Sequence, residues 1–574
     1  MDEIPLRFLF LPSVKPSQGW GHIARSQVQA RTLGAKLWAP EGIPVGAAEG
    51  MWLMDVPDWQ HWDVVVLDRM RTETDVFRLV RNTGKLLVGW DEGGRHRKDL
   101  DYLLDTLGNL SSYKPNLKAP ELLPLGQPRG MHLRAIKKVL IAFGGDGTLQ
   151  LGLKLLEVLT TRPDPGWEVT VLQGPWQNLK EGEEPALWGR PIIKLPRPES
   201  LGLHLPAFDL VFCSYGLTAL ECLRQGVPFI LINPTRYHTR LTKKYAFPCA
   251  GTGGVNTSEL TRILKKIENV LLRPGLYPVL PPPRDFKEFW GSLRSVSSRC
   301  PACGDIHRKI ISRAEDRTYF SCETCGFLSM SPWKAARKNY SVEYFHEEYK
   351  RQYGRTYLQD FSHIAALGKG RLEYYEKLSG SKTRKVLLDI GCAYGPFLFA
   401  AQGKGYQGFG LDISEDAVGH VRDELAIPAL AVNFHQFSWE MFSEPKKPDL
   451  VSLWYVIEHF ENLVPVMEKL EGLVPSGGWL LLGTPNALGI TGRFHKKRFL
   501  KKSPDDHFTL WTPASARRLL ARYGFEVLSI RPTGIHPYRL FGFTLPKFLD
   551  RILSWVLKIL GWGDTMEIYA RKLR

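Results

Sequence analysis

The chain of 574 residues is short of several features that would fix its class at once. No apolar run approaches the roughly 20 residues that a bilayer-spanning helix needs, so a helical integral membrane protein is not expected. Repeats of solenoid period and low-complexity tracts are both missing, which sets aside repeat arrays and disordered tails. Cysteine is sparse at eight residues, and four of these fall in one short segment as two Cys-x-x-Cys pairs. That usage excludes a disulfide-stapled secreted scaffold, and the isolated Cys213, Cys222, Cys249 and Cys392 read as reduced core thiols of a cytoplasmic protein. The opening MDEIPLRFLFLPS is acidic, with an apolar run too short for a signal peptide. A single-sign charge block is lacking too. The net charge is +17, but Lys and Arg are scattered among carboxylates, a weak pull towards anionic substrates or a membrane surface rather than a nucleic-acid signature.

What is present is alternation. From Met1 to about Arg284, apolar runs such as LRFLFL, DVVVLD, KLLVGW, KKVLIAFGG, FDLVFCS and VPFILINP alternate with helical patterns, which predicts parallel sheets covered by helices. Breakers crowd Leu107–Arg129 and place a seam there, dividing the half into residues 1–130 and 131–284. The proline- and serine-rich stretch to Arg299 reads as a linker over 285–299. The cysteine segment follows at 300–330. A third βα domain, preceded by an aromatic-rich helical stretch, occupies 331–574.

Within that last domain, VLLDIGCAYGPFLF (Val386 to Phe399) is an apolar strand running into a glycine-containing turn with an acid, Asp389, at its mouth. A turn built for a pyrophosphate presents N–H groups, and a carboxylate there works against the anion. S-adenosylmethionine has the opposite character, with a sulfonium, an ammonium and no phosphate. Gly391 and Gly395 are expected to let the backbone approach its methionine part. The next strand ends in GFGLDIS, where Asp412 is suited to the ribose hydroxyls. The turn alone also suits an unliganded doubly wound domain; Asp412 and the following strand PDLVSLWYVIEHF favour the methyl donor.

The run from Tyr340 to Lys572 resembles the bacterial class I methyltransferase family that includes ubiquinone-type and sugar-modifying enzymes, through LLDIGCAYG, GLDISEDAV, LWYVIEHFENL, LVPSGGWLLLGTPN and DHFTLWTPASARRLLARYGFEV. Family turns usually have glycine where this chain has Ala393. The resemblance places Asn433 to His435 beside the adenine and makes Glu458, His459 and His507 candidates for aligning and deprotonating the acceptor. Glu458 and His459 also suit a plain helix-start role. Relatives that hold a divalent metal add an upstream acid at the position of Trp454.

Cys300, Cys303, Cys322 and Cys325, with an 18-residue spacer, give a zinc-ribbon pattern with four thiolates and no open position, hence a structural zinc. Ribbons beside methyltransferases occur in RNA-modifying and in sugar-modifying enzymes; the mixed charges of this one do not form a basic face, so no specific nucleic acid is expected.

In the N-terminal half, PSQGWGHIARS supplies Gly19, Gly21, His22 and Arg25 after the first strand. VLIAFGGDGTLQ supplies Gly144 and Gly145, and CSYGLTALECLRQG supplies Ser214, Gly216, Thr218 and Glu221, each before a helix that can present N–H groups to a diphosphate. One such loop suits a plain tight turn with a surface histidine; three together favour a nucleotide sugar. These motifs resemble the GT-B fold, especially the nucleotide-sugar hydrolases of pseudaminic acid synthesis and the peptidoglycan N-acetylglucosaminyltransferase. The resemblance puts Glu221 on the ribose and makes His22 a base.

LPKFLDRILSWVLKILGW is an amphipathic helix whose apolar face suits a membrane or, the favoured expectation, its own sheet. The whole chain therefore reads as α/β: GT-B (two Rossmann-like domains), zinc ribbon and a class I methyltransferase domain. The expected function is methylation in surface-glycan or glycolipid synthesis, acting on a nucleotide sugar or glycan intermediate. An RNA methyltransferase with a non-catalytic N-terminal binding module is the alternative. Oligomeric state is left open.

Overall fold

The computed structural model describes residues 6–15, 21–43, 50–122, 135–143, 149–172, 186–196, 201–269, 277, 284–293, 298–333, 349–350, 354–380, 385–444, 446–541, 543 and 546–573. It divides into two compact units, Met1–Ser298 with Arg313–Asp316, and Arg299–Ser312 with Arg317–Arg574.

The first unit holds two parallel sheets. One consists of β1 (Phe8–Pro12), β2 (Lys36–Leu37), β3 (Val64–Asp68), β4 (Leu86–Trp90), β5 (Tyr102–Asp105) and β6 (Leu117–Lys118), in the order β2-β1-β3-β4-β5-β6. The runs FLFLP, VVVLD and LLVGW are buried at every position. Parallel strands covered on both faces need such unbroken apolar sequence, which is why no alternation is seen. The second sheet follows β7 (Lys138–Ala142) and β8 (Glu168–Leu172). After a short hairpin, β9 (Ala186–Leu187) and β10 (Arg190–Pro191), it adds β11 (Ile193–Leu195), β12 (Leu210–Cys213), β13 (Phe229–Asn233) and β14 (Cys249–Thr252). Its order, β11-β8-β7-β12-β13-β14, reverses between β7 and β12, and such a reversal opens a crevice at the carboxyl ends of the strands.

The stretch 285–299 is not a plain linker. Phe286–Gly291 is a helix capped by Asp285, whose carboxylate accepts from the Glu288 N–H at 2.9 Å. Trp290 is fully buried against Phe8, Phe10 and Trp90, and its indole N–H donates to Gln29 Oε1 at 2.9 Å. Proline and serine set the composition of the stretch, yet Phe289 and Trp290 carry more apolar area than a solvated tether leaves in water. The seam near residue 130 lies outside the described residues.

In the second unit β15 (Arg308–Arg313), β16 (Arg317–Cys322) and β17 (Leu328–Pro332) follow the first cysteine pair. The main sheet comprises β18 (Val386–Ile390), β19 (Gln407–Asp412), β20 (Ala429–Ala431), β21 (Leu450–Trp454) and β22 (Trp479–Pro485), then, beyond the detached β23 (Thr509–Leu510), β24 (Phe525–Thr533) and β25 (Thr565–Lys572). Its order is β20-β19-β18-β21-β22-β25-β24, with β25 antiparallel to both neighbours. β23 pairs instead with β17. Cys300, Ala302, Cys322 and Phe327 share one hydrophobic cluster with Leu463, Met467 and Trp511. The division between 300–330 and 331–574 is therefore corrected: the cysteine segment shares the core of the domain behind it and borrows that domain's β23 as the fourth strand of its own sheet.

The C-terminal helix, Lys547–Ile559, also departs from the favoured expectation. Only Leu557 of its residues is buried; β25, not the helix, packs into the sheet. Among the described residues no helix is long and apolar enough to cross a membrane.

Candidate active sites

β18 ends at a turn in which Gly391, Ala393 and Gly395 all have positive φ, at 73°, 47° and 80°. Ala393 occupies this left-handed conformation at a cost of about 1–2 kcal/mol against glycine, and its N–H donates to Asp412 Oδ2 at 2.8 Å, a bond that holds it there. The two glycines are also required by the protein's own packing. A Cβ on Gly391 would meet Val456 Cγ2 at 2.3 Å, and one on Gly395 would meet Val421 and Leu425 at 2.8 Å. They make room for the protein's own side chains and supply the turn's dihedrals.

Asp389 is buried on β18, and the Ser452 hydroxyl donates to it at 2.6 Å. Burial pushes its carboxyl up to about 7; the Ser452 bond and Arg371 oppose the rise, and Asp412 adds to it. Asp412 closes β19 and is raised in turn, mainly by burial, against bonds from the N–H groups of Ser414 at 3.0 Å and Ala393. Two buried acids that both resist ionisation form a pocket that a cationic ligand relieves and a pyrophosphate aggravates, so these residues fit S-adenosylmethionine. Asn433 is exposed, and its side chain caps its own turn by accepting from the His435 N–H at 2.9 Å. Tyr357, not singled out from sequence, packs its ring 5.9 Å from that of Tyr394 beside the turn.

Glu458 and His459 lie in the short helical turn Ile457–His459 directly after β21. His459 Nδ1 is 3.3 Å from Asp506 Oδ2, and its ring meets that of His507 edge-on with centroids 4.8 Å apart. Glu458, His459 and His507 each offer a ligand atom within 4.8 Å of the others. Neither carboxylate oxygen of Glu458 has a hydrogen bond of ordinary geometry. Burial pushes this acid up to about 7 as well, with His459 and the nearby Thr484 pulling the other way. An orphaned buried carboxyl costs free energy unless a proton or cation satisfies it. The oxygen and two imidazoles therefore fit a divalent cation as well as a proton relay. Trp454, at the position of an upstream acid in metal-holding relatives, instead lies under the Arg371 guanidinium at 4.2 Å.

The cysteine Sγ atoms approach in two pairs, Cys300–Cys325 and Cys303–Cys322, each at 3.6 Å, and all four lie within 4.8 Å. Tetrahedral zinc with sulfur at about 2.3 Å requires S···S edges of about 3.8 Å, which this set matches.

In the first unit, His22 and Arg25 begin the helix Gly21–Leu33 and are buried. His22 Nδ1 lies 2.6 Å from Asp68 Oδ1, and Asp68 Oδ2 accepts from Arg25 Nε and Ser26 Oγ, both at 2.8 Å. Arg25 also donates to Asp91 at 2.5 Å and stacks 4.3 Å over Trp90. Burial alone would raise the Asp68 carboxyl; Arg25 and His22 outweigh it and hold it at about 2. Gly216 caps the helix Leu217–Gln225, with Ser214 just before it, Thr218 in its first turn and Glu221 half-buried one turn on. A Cβ on Gly21 would meet Leu217 Cδ1 at 2.8 Å, so the first residues of the helices Gly21–Leu33 and Leu217–Gln225 meet. Gly19, Gly144 and Gly145 lie outside the described residues. Sequence reasoning missed Asp68 and Asp91. Both end or follow strands of a parallel sheet at its carboxyl edge, the place where such sheets bind ligands, and that position was the available signal.

Comparison with known proteins bears on the second unit. A family model described as "Methyltransferase domain" matches residues 363–530. The ubiquinone biosynthesis O-methyltransferase of Nitrosomonas europaea is 25% identical over 129 residues, 22% of this chain and 55% of that protein. That of Methylococcus capsulatus is 24% identical over 182 residues, 30% of this chain and 76% of that protein. The chain thus spans little more than half of the first relative. Among solved structures, magnesium protoporphyrin IX methyltransferase from Synechocystis with bound SAH is 17% identical, covers 40% of this chain and 96% of its own, and gives a TM-score of 0.28. Residues 363–530, with the acids of β18 and β19 at their glycine turn, constitute an S-adenosylmethionine-dependent methyltransferase domain set within a much longer chain.

Proposed function

We propose that the chain methylates a hydroxyl of a nucleotide sugar or glycan intermediate in surface-glycan or glycolipid synthesis, with its N-terminal unit holding the glycosyl nucleotide. The observation that carries the methylation reading is the pairing of two raised, buried acids, Asp389 and Asp412, at the carboxyl ends of adjacent strands, with Glu458 and His459 following β21 on the other side of β18 and His507, just before β23, beside them. S-adenosylmethionine supplies an electrophilic methyl group on a sulfonium. Asp389 and Asp412 bind its cationic and ribose parts. His459 takes the proton of the acceptor hydroxyl as the oxygen–methyl bond forms and the sulfonium–methyl bond breaks, and Asp506 stabilises the resulting imidazolium. If a divalent cation instead occupied Glu458, His459 and His507, it would polarise the acceptor oxygen and His459 would serve as a ligand rather than as the base. The four cysteines hold a structural zinc.

The glycosyl-nucleotide reading is supported by the meeting of the helix starts at Gly21 and Leu217 and by Asp68, which orients His22 as a base with Nε2 as the proton acceptor. Two six-stranded parallel sheets are what the GT-B resemblance implies. Its test incubates the full chain with isotope-labelled S-adenosylmethionine and a panel of UDP-, GDP-, CDP- and dTDP-sugars, their glycolipid products, and RNA, followed by mass spectrometry. Label on a sugar supports the reading; label on RNA alone, or on nothing in the panel, overturns it. His459→Ala should lower turnover by about 10²–10⁴-fold while donor affinity is retained.

A further inference from the structure

We propose that the C-terminal helix and the basic segment Arg493–Lys502, linked to it through Trp562, dock the protein on an anionic membrane surface. Along Lys547–Ile559 the residues Phe548, Ile552, Trp555 and Ile559 recur at intervals of four, three and four, which places them on one face. Their exposures are 64%, 58%, 65% and 65%. An aromatic and aliphatic stripe of this kind, left in water by the fold, is the apolar half of an interfacial helix.

The other half is charge. Lys496–Lys502, sequence KKRFLKK, together with Arg493 just before it, presents six exposed cations, and the segment from Thr491 to Lys502 contains no carboxylate. Trp562, whose N–H donates to Leu557 O of the apolar helix at 2.9 Å, packs on the short helix Ile490–Phe494 that precedes the basic one in the chain. Its carbonyl accepts from the Ile490 N–H at 3.1 Å, its ring meets Phe494 at 5.4 Å, and the Arg493 guanidinium lies 5.3 Å over it. On the apolar helix itself Lys547, Arg551 and Lys558 are exposed, and Asp550 is the one acid.

Charge complementarity selects the occupant. A second copy of the chain would set these cations against one another across a two-fold axis, and an uncharged apolar partner would leave them without counter-charge. A bilayer bearing anionic headgroups accepts the tryptophan and phenylalanine at headgroup depth and pairs with the lysines. The placement is also apt. Beyond the helix, Asp564 O accepts from the Asn486 N–H at 2.8 Å and Gly563 O from its side-chain amide at 2.9 Å, and Asn486 directly follows β22 at the edge of the sheet that carries the methyl-donor turn.

The test is co-sedimentation of the full chain with vesicles of phosphatidylcholine alone and of phosphatidylcholine mixed with phosphatidylglycerol. Binding is expected to the mixed vesicles only and to weaken as salt rises. Ile552→Asp with Trp555→Asp should reduce it to background, and Lys496→Gln with Lys497→Gln should weaken it about 25-fold, at about fivefold per cation. Both variants alter exposed side chains and should retain circular dichroism and donor binding. Equal binding to both vesicle types, or none, overturns the proposal. So does a concentration-dependent dimer, seen by light scattering, that the Ile552/Trp555 variant abolishes while vesicles remain unbound.

Discussion

Asp389 is buried, and on the proposed function it also faces a positively charged donor; the two demands set its titration. Its carboxyl is raised by burial to about 7 in the fold, from the ordinary aspartate value of 3.8. Between these values the folded protein keeps a proton that the unfolded chain has lost. In the absence of ligand, stability therefore falls as pH rises through that window and levels off above about 7. A cationic ligand selects the carboxylate, so donor affinity should rise with pH by at most about tenfold per unit and level off above about 7. Calorimetric titration with S-adenosylmethionine across this range checks the slope, and Asp389→Asn should bind weakly with a flat profile. Asp68 answers to the other regime, ion pairing. Removing it strands the buried Arg25 with Asp91 alone, and Asp68→Ala should cost about 3–5 kcal/mol in urea unfolding. Asp389 was legible from sequence because it breaks an apolar run immediately before a glycine turn. Asp68 was not, because it was read as the last residue of a strand; its partners lie 42 to 46 positions away in sequence.

At the scale of elements, strands buried on both faces were the easiest to read, since VVVLD or VLLDI has no other economical conformation in a parallel sheet. Elements whose state depends on distant partners were misread. The helix Phe286–Gly291 reads as tether in the sequence because Trp290's pocket is made by strands 200 or more residues earlier, and the C-terminal helix reads as covering a sheet that β25 already fills. The cysteine segment lies between these cases. Its ligand spacing was plain, but its merger with the domain behind it was not, because β23 is only two residues long. That merger carries a prediction. Chelation should release one zinc per chain, measured colorimetrically, and lower the melting temperature of the second unit, because Cys300 and Cys322 sit in the same cluster as Leu463 and Met467. Cys303→Ser should do the same without chelator.

For the molecule as a whole, the division into two units implies two separable unfolding transitions. At a concentration about a hundredfold above its dissociation constant, S-adenosylmethionine should stabilise one of them by about 2.7 kcal/mol and leave the other unmoved in differential scanning calorimetry. A uniform shift of both would mean that the units unfold as one body. The order of the units along the chain was legible from the alternation of apolar runs and helical patterns, with the breaks marked by proline and glycine. Which side chains converge in each crevice was not, since that depends on how loops from separate strands meet at one edge.

The pairing of β17 with β23 reaches further than stability. Ser329 faces Thr509, Leu328 faces Leu510, and the Met330 N–H holds the Phe508 carbonyl at 2.8 Å, so the chain bearing His507 is strapped to the hairpin that rises from the thiolates. Whatever loosens the four sulfurs therefore also loosens the chain that positions His507.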